Sequence, residues 1–190
     1  GEGGALVVNS VEMSDRAEVI REKGTDRKNF FEGKVDKYTW KDLGSSYLPG
    51  ELISAFLWGQ IQSAHLITQR RIKIWDEYHS RLQGLEVDGH FIRPKVPRDC
   101  THNGHMYYLI MKNKEERSKF IEHMRVNGIS CVFHYVPLHL SKHGKKCGKS
   151  SGDLFNTVDL SERLVRLPLW LGIETVQDAV INAVFSYIQS

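Results

Sequence analysis

The stretch Met106-Tyr107-Tyr108-Leu109-Ile110-Met111 reads as a strand, Lys114 to Asn127 as a helix that Gly128 ends, and Ile129-Ser130-Cys131-Val132-Phe133-His134 as a second strand. A strand, a helix and a strand within thirty residues give a compact α+β unit, which the pattern extends over 84–190. Beyond it, Ser161 to Val165 fits a short helix and Arg166-Leu167-Pro168-Leu169 an extended segment. Thr175 to Ile188 fits a closing helix with Val176, Ala179, Val180, Ala183, Val184 and Ile188 on its apolar face.

Working back toward the N-terminus, Pro49 suits the first turn of a helix. Apolar residues then recur at helical spacing through Leu52, Ile53, Phe56, Leu57, Ile61, Ala64, Ile67, Ile74, Trp75, Tyr78 and Leu82. One helix over 49–83 would be about 50 Å long. That exceeds the width of a small domain, so it is expected to connect two domains or subunits. Ahead of it, Thr25 to Leu48 has no clear period, yet its aromatics Phe30, Phe31, Tyr38, Trp40 and Tyr47 argue against disorder. Ser14 is placed to cap a helix over Asp15 to Lys23, which Gly24 stops. The chain opens Gly1-Glu2-Gly3-Gly4, without methionine, and passes into Ala5-Leu6-Val7-Val8, a run that reads as a strand. Such a start is expected of a chain cut from a larger domain, with residues 1–48 prone to self-association.

The composition is that of an ordinary soluble domain, with 41% hydrophobic and 26% charged residues. Its 26 basic and 23 acidic residues leave a net charge of +3. That is too mild to argue for nucleic acid or an anionic membrane, though compatible with a small acidic substrate. No apolar run approaches the roughly 20 residues a bilayer span needs. Cys100, Cys131 and Cys147 form neither a disulfide framework nor a CxxC pair, so a reducing cytoplasm is the expectation.

Three constellations can carry chemistry. In Gly1-Glu2-Gly3-Gly4 the glycines permit either a tight turn or the close approach of another group. Gly44-Ser45-Ser46-Tyr47 precedes the long helix, where free N–H groups and hydroxyls either cap the helix or receive a phosphate. His134, His139, His143 and Cys147 are zinc-type ligands, but Pro137 and Gly144 disfavour a continuous helix there. Lys142, Lys145, Lys146 and Lys149 would oppose a cation. The segment reads instead as a basic loop, either merely solvated or closing over a phosphorylated ligand. Arg70 and Arg71 read as a solvated helix face.

Taken in order, Gly-Glu-Gly-Gly-Ala-Leu, Lys23-Gly24-Thr25-Asp26-Arg27, Val35-Asp36-Lys37-Tyr38-Thr39-Trp40, Gly44-Ser45-Ser46-Tyr47-Leu48, Phe133-His134-Tyr135-Val136-Pro137-Leu138-His139 and Arg166-Leu167-Pro168-Leu169 resemble the DegT/StrS sugar-nucleotide aminotransferases. The likeness spans nearly the whole chain. The Lys-Tyr-Thr-Trp and Gly-Ser-Ser-Tyr-Leu stretches resemble the branch that makes dTDP-4-amino-4,6-dideoxygalactose from dTDP-4-oxo-6-deoxyglucose.

The resemblance implies an α/β fold, the C-terminal part of a type I aminotransferase that uses pyridoxal phosphate. Residues 1–48 would end the large cofactor domain, 49–83 the connecting helix, and 84–190 the small domain. It implies glutamate as amino donor, a dTDP-4-keto-6-deoxyhexose as acceptor and a homodimer with shared active sites. The cofactor-attaching lysine would lie ahead of Gly1, so this chain alone is expected to be inactive. The same resemblance puts Gly3 and Gly4 near the cofactor and Ser46 at the phosphate contact that an asparagine makes elsewhere in the family. The equivalent of a family arginine falls on Leu48, whose side chain cannot bind phosphate. His134, Tyr135 and His139 match a substrate-side wall. The alternative is a non-catalytic module that binds a nucleotide-sugar or phosphate.

Overall fold

A computed structural model describes residues 3–189. The chain forms two compact units that divide between Ser63 and Ala64.

In the first unit, α1 (Val11–Arg21) is capped by Ser10, whose hydroxyl accepts from the Met13 amide at 3.4 Å. The cap is thus Ser10, not Ser14, because Ser10 is the residue with extended backbone at the helix entry. Lys23 and Gly24 take positive φ of 59° and 77°, and the Gly24 N–H returns to the Val19 carbonyl at 2.8 Å, ending the helix. The stretch read as lacking a period holds a short helix, α2 (Arg27–Phe31). The return segment after it is tied back to the residues that follow α1 by the bridges Glu22↔Ser46 and Thr25↔Trp40. Asp26 anchors this return: its carboxylate accepts from the Thr39 amide at 2.6 Å and pairs with Lys41 at 3.2 Å. Those contacts, the Thr39 amide first, hold its pKa below the usual carboxylate value. Gly1 and Glu2 lie outside the described residues. The expected strand at Ala5 to Asn9 is not formed, since no described strand offers it a ladder.

The helix expected over 49–83 is two helices. The first, α3 (Glu51–Gln62), closes at Ser63, whose N–H bonds the Gln60 carbonyl at 3.1 Å. The second unit then begins with α4 (Ala64–Arg81) and the single turn α5 (Gln83–Val87). Apolar spacing runs through the break because it tracks side chains and not the hydrogen-bond ladder.

The rest of the second unit is β1 (Phe91–Ile92), β2 (Tyr107–Met111), α6 (Lys114–Val126), β3 (Val132–Phe133), α7 (Lys142–Cys147), α8 (Phe155–Arg163), β4 (Leu164–Leu167) and α9 (Gln177–Gln189). The four strands form an antiparallel sheet of order β1-β2-β4-β3. Tyr107, Leu109 and Met111 of β2 and Val165 and Leu167 of β4 point to one face. There they share a core with Tyr78 of α4, Phe120 and Met124 of α6, and Ile181 and Val184 of α9.

The strand, helix and strand read from the sequence around Met106 to His134 are all present, though the second strand shrinks to Val132–Phe133. The short helix read at Ser161 to Val165 instead starts at Phe155 and stops at Arg163. Arg163 fixes that end by pairing with Asp159 at 2.6 Å and donating to the Met111 carbonyl at 3.1 Å. Arg70 and Arg71 do more than face solvent. Arg70 pairs with Glu174 at 2.7 Å and Arg71 donates to the Gly104 carbonyl at 3.1 Å, pinning two loops to α4. Among the described residues no helix is long and apolar enough to cross a membrane.

Candidate functional site

In the first unit an open cleft of about 1400 Å³ lies between the segment Gly4–Ser10, one side of α1 and the turn Tyr47–Pro49. Gly4 and Tyr47 therefore line one space, and Ser46 is the residue beside Tyr47. Ser46 is exposed, as are Gly3 and Gly4. Among the described residues nothing beyond chain neighbours lies within 4 Å of where a Cβ on Gly3 or Gly4 would sit. Any group that approaches these glycines closely is therefore not a described part of this chain.

The turn at 44–47 has a structural task of its own. The amides of Ser45 and Tyr47 donate to the Ile20 and Arg21 carbonyls at 2.9 and 3.2 Å, so they satisfy the C-terminus of α1. For Ser45 and Tyr47 this corrects the expectation of free N–H groups before the long helix, which begins only at Glu51. The hydroxyls of Ser46, and of Tyr47 on the cleft, are left for a ligand. Hydroxyl donors suit a phosphate; Arg16 and Arg21 also line the cleft, but each is paired with a carboxylate, Asp42 and Glu18.

In the second unit the chain leaves β3 through His134 and Tyr135, whose rings lie 5.4 Å apart. The Tyr135 ring carries the guanidinium of Arg166 at 5.7 Å. The sheet register explains this meeting: Val132 and Tyr108 both pair with Arg166, which puts the arginine on the face opposite the core, where His134 also falls. His134 Nδ1 and Arg166 Nε are buried and have no hydrogen-bond partner.

His139, whose Nε2 is likewise buried and unpartnered, lines a second open cleft of about 1070 Å³ with His143, Lys145, Cys147 and Lys149. The segment expected to be a basic loop is partly helical here. Ser141 caps α7 by accepting from the Gly144 amide at 3.0 Å. Gly144, expected to break a helix, is needed in it: a Cβ there would come within 2.7 Å of the Leu138 carbonyl carbon. His143 and Cys147, four residues apart on α7, bring Nε2 and Sγ to 3.4 Å. Arg166 is the residue that sequence reading missed. The signal was available, since a lone arginine between Val165 and Leu167 in an extended run must point away from the core.

Residues 1–185 match the DegT/DnrJ/EryC1/StrS aminotransferase family. The chain belongs to this family. It is 27% identical over 194 residues to the uncharacterized protein MJ1066 of Methanocaldococcus jannaschii, covering 97% of this chain and 48% of that protein. It is 28% identical over 188 residues to dTDP-3-amino-3,4,6-trideoxy-alpha-D-glucose transaminase of Streptomyces venezuelae, covering 97% of this chain and 45% of the transaminase. Among solved structures, S. venezuelae DesV superimposes with a TM-score of 0.81 at 24% identity, over 97% of this chain and 46% of DesV. Helicobacter pylori PseC superimposes with a TM-score of 0.76 at 20% identity, over 95% and 47%. The fold is thus the mixed α/β fold of these aminotransferases, in the share expected for a C-terminal part. The chain spans about half the length of these relatives.

Proposed function

We propose that the whole protein is a pyridoxal-phosphate-dependent aminotransferase that moves an amino group from glutamate to the 4-keto carbon of a dTDP-4-keto-6-deoxyhexose. The observation that carries this reading is the family match over residues 1–185. Pyridoxal phosphate, when bound, supplies the electron sink that lets an amino group pass between two carbon skeletons.

This chain's residues bind and orient. The Ser46 hydroxyl donates to the cofactor phosphate of a second subunit, and Gly3 and Gly4 leave room for close approach near the cofactor. His134, Tyr135 and His139 form the wall against which the sugar nucleotide lies. In this reading residues 1–48 end the cofactor domain and 84–190 form the small domain. The active protein is a homodimer in the cytoplasm, and the product feeds the synthesis of a surface polysaccharide or lipopolysaccharide. On the resemblance, the lysine that carries the cofactor precedes Gly1, so catalysis is assigned to the whole protein.

The test is direct. Full-length protein is incubated with pyridoxal phosphate, glutamate and dTDP-4-keto-6-deoxyglucose, and 2-oxoglutarate and the 4-amino sugar nucleotide are measured. The 190-residue chain assayed alone should give neither. Failure of the full-length protein to aminate any keto-sugar nucleotide in a panel would remove the reading.

A further inference from the structure

We propose that Arg166, held beneath Tyr135 and on the same sheet face as His134, anchors an anionic oxygen group, a carboxylate or a phosphate, at the wall assigned above to the substrate. Among the described residues no carboxylate pairs with the Arg166 guanidinium. Its Nε–H is buried with no acceptor, and so is Nδ1 of His134. Buried polar atoms of this kind are normally satisfied, and those of a charged group most of all. The orphaned Nε–H of Arg166 therefore marks a place for an acceptor that is not part of the chain.

Position supports the same conclusion. Arg166 belongs to β4 and is registered with Val132 and Tyr108, so its backbone is fixed by ladders on both sides. Tyr135 stacks at 5.7 Å over its guanidinium and lies 5.4 Å from the His134 ring, so one aromatic ring holds both groups. A planar fork restrained at its face and fixed at its base is suited to two parallel hydrogen bonds from a carboxylate or a phosphoryl group. A lysine, a point charge on a flexible stem, is not. His134 adds a second polar atom that a ligand oxygen or hydroxyl can use.

Two ligand groups share this chemistry: the carboxylate of an amino donor and the diphosphate of a sugar nucleotide. The inference rests on the proposed function only for the carrier of the anion, because binding by this chain is measured without amino transfer. The 190-residue chain is titrated calorimetrically with inorganic pyrophosphate and, separately, with glutarate. Saturable binding in one arm names the source. Arg166→Gln should weaken that binding at least tenfold while leaving the melting temperature within a few degrees. Arg166→Lys, which keeps the charge and the strand, should still lose at least fivefold because the fork is gone. Should the glutamine variant not fold, the lysine variant decides alone. The inference is overturned if neither anion binds, or if binding survives substitution of Arg166. A full-length protein that fails to transfer amino groups while this chain binds an anion through Arg166 would sink the proposed function and leave the inference standing.

Discussion

Gly24 and Gly44 are packed backbone to backbone: a Cβ placed on Gly44 would fall on the Gly24 amide nitrogen and lie 2.7 Å from the Gly24 Cα. The contact joins the end of α1 to the turn that carries Ser46. Gly24 itself has φ of 77°, and a Cβ there would run into the Asp42 carbonyl. Either glycine changed to alanine should destabilise the first unit by about 2 kcal/mol or more, since backbone cannot yield as a flexible side chain can. Trp40 and Trp58 lie in this unit, so thermal unfolding followed by fluorescence, with Trp75 and Trp170 replaced by Phe, reads it selectively. Wild-type stability in Gly44→Ala would show that the close approach is not a constraint.

Tyr78 is fully buried and its hydroxyl donates to the Pro168 carbonyl at 2.9 Å. This bond joins α4 to the segment just after β4 and gives the Pro168 carbonyl a donor. Tyr78→Phe keeps the ring and orphans the carbonyl, so it should cost about 1–2 kcal/mol in urea denaturation. An unchanged midpoint would mean that the carbonyl finds water.

The three cysteines occupy different environments: Cys100 and Cys147 are exposed and Cys131 is buried. Burial pushes the Cys131 thiol from 9.0 up to about 12. In the native protein a thiol reagent at pH 8 should modify Cys100 and Cys147 quickly and Cys131 only after unfolding. Because the fold favours the protonated thiol, its contribution to stability is complete below pH 9 and is lost as pH rises toward 12. Tyr187, raised by burial to about 12, acts in the same direction. Cys131→Ala should therefore show a shallower loss of stability between pH 9 and 12 than wild type. Equal slopes would remove Cys131 from the account.

Helix α3 buries none of its residues although Leu52, Phe56 and Trp58 are 86%, 71% and 65% exposed. Apolar surface of this extent favours association. Sedimentation velocity across a concentration series should show this chain self-associating, and Phe56→Glu should shift it toward monomer. A wild-type chain that stays monomeric at high concentration would contradict this.

Much of the second unit could be read from the sequence because local and tertiary signals agree there. Tyr107 to Met111 alternate between the core and the opposite face, and α6 carries Phe120 and Met124 inward four residues apart. The misreadings have physical causes. Ser10 and Ser14 are both competent caps, and the choice depends on which backbone is extended at the helix entry. The break at Ser63 is invisible to apolar spacing. Ala5 to Val8 has the composition of a strand, but composition supplies no partner. At the candidate site, the histidines and Tyr135 declared themselves by chemical type and by resemblance. For Arg166 the outward direction was legible from Val165 and Leu167, but its register with Val132 and its meeting with the ring of Tyr135 are not local in sequence.

The order β1-β2-β4-β3 also governs how this sheet can be made. β3 lies at the edge and pairs with β4 alone, and β4 follows it in the chain by some thirty residues. On a ribosome adding about 5–20 residues per second, Val132 and Phe133 emerge seconds before any strand exists to receive them. Through that interval β2 has only the two-residue β1 beside it, and the edges of β2 and β3 that will pair with β4 stay open to other nascent chains. Slowing translation between β3 and β4 would lengthen the exposure, so synonymous codon choice in that segment should alter the soluble yield of a polypeptide whose sequence is unchanged.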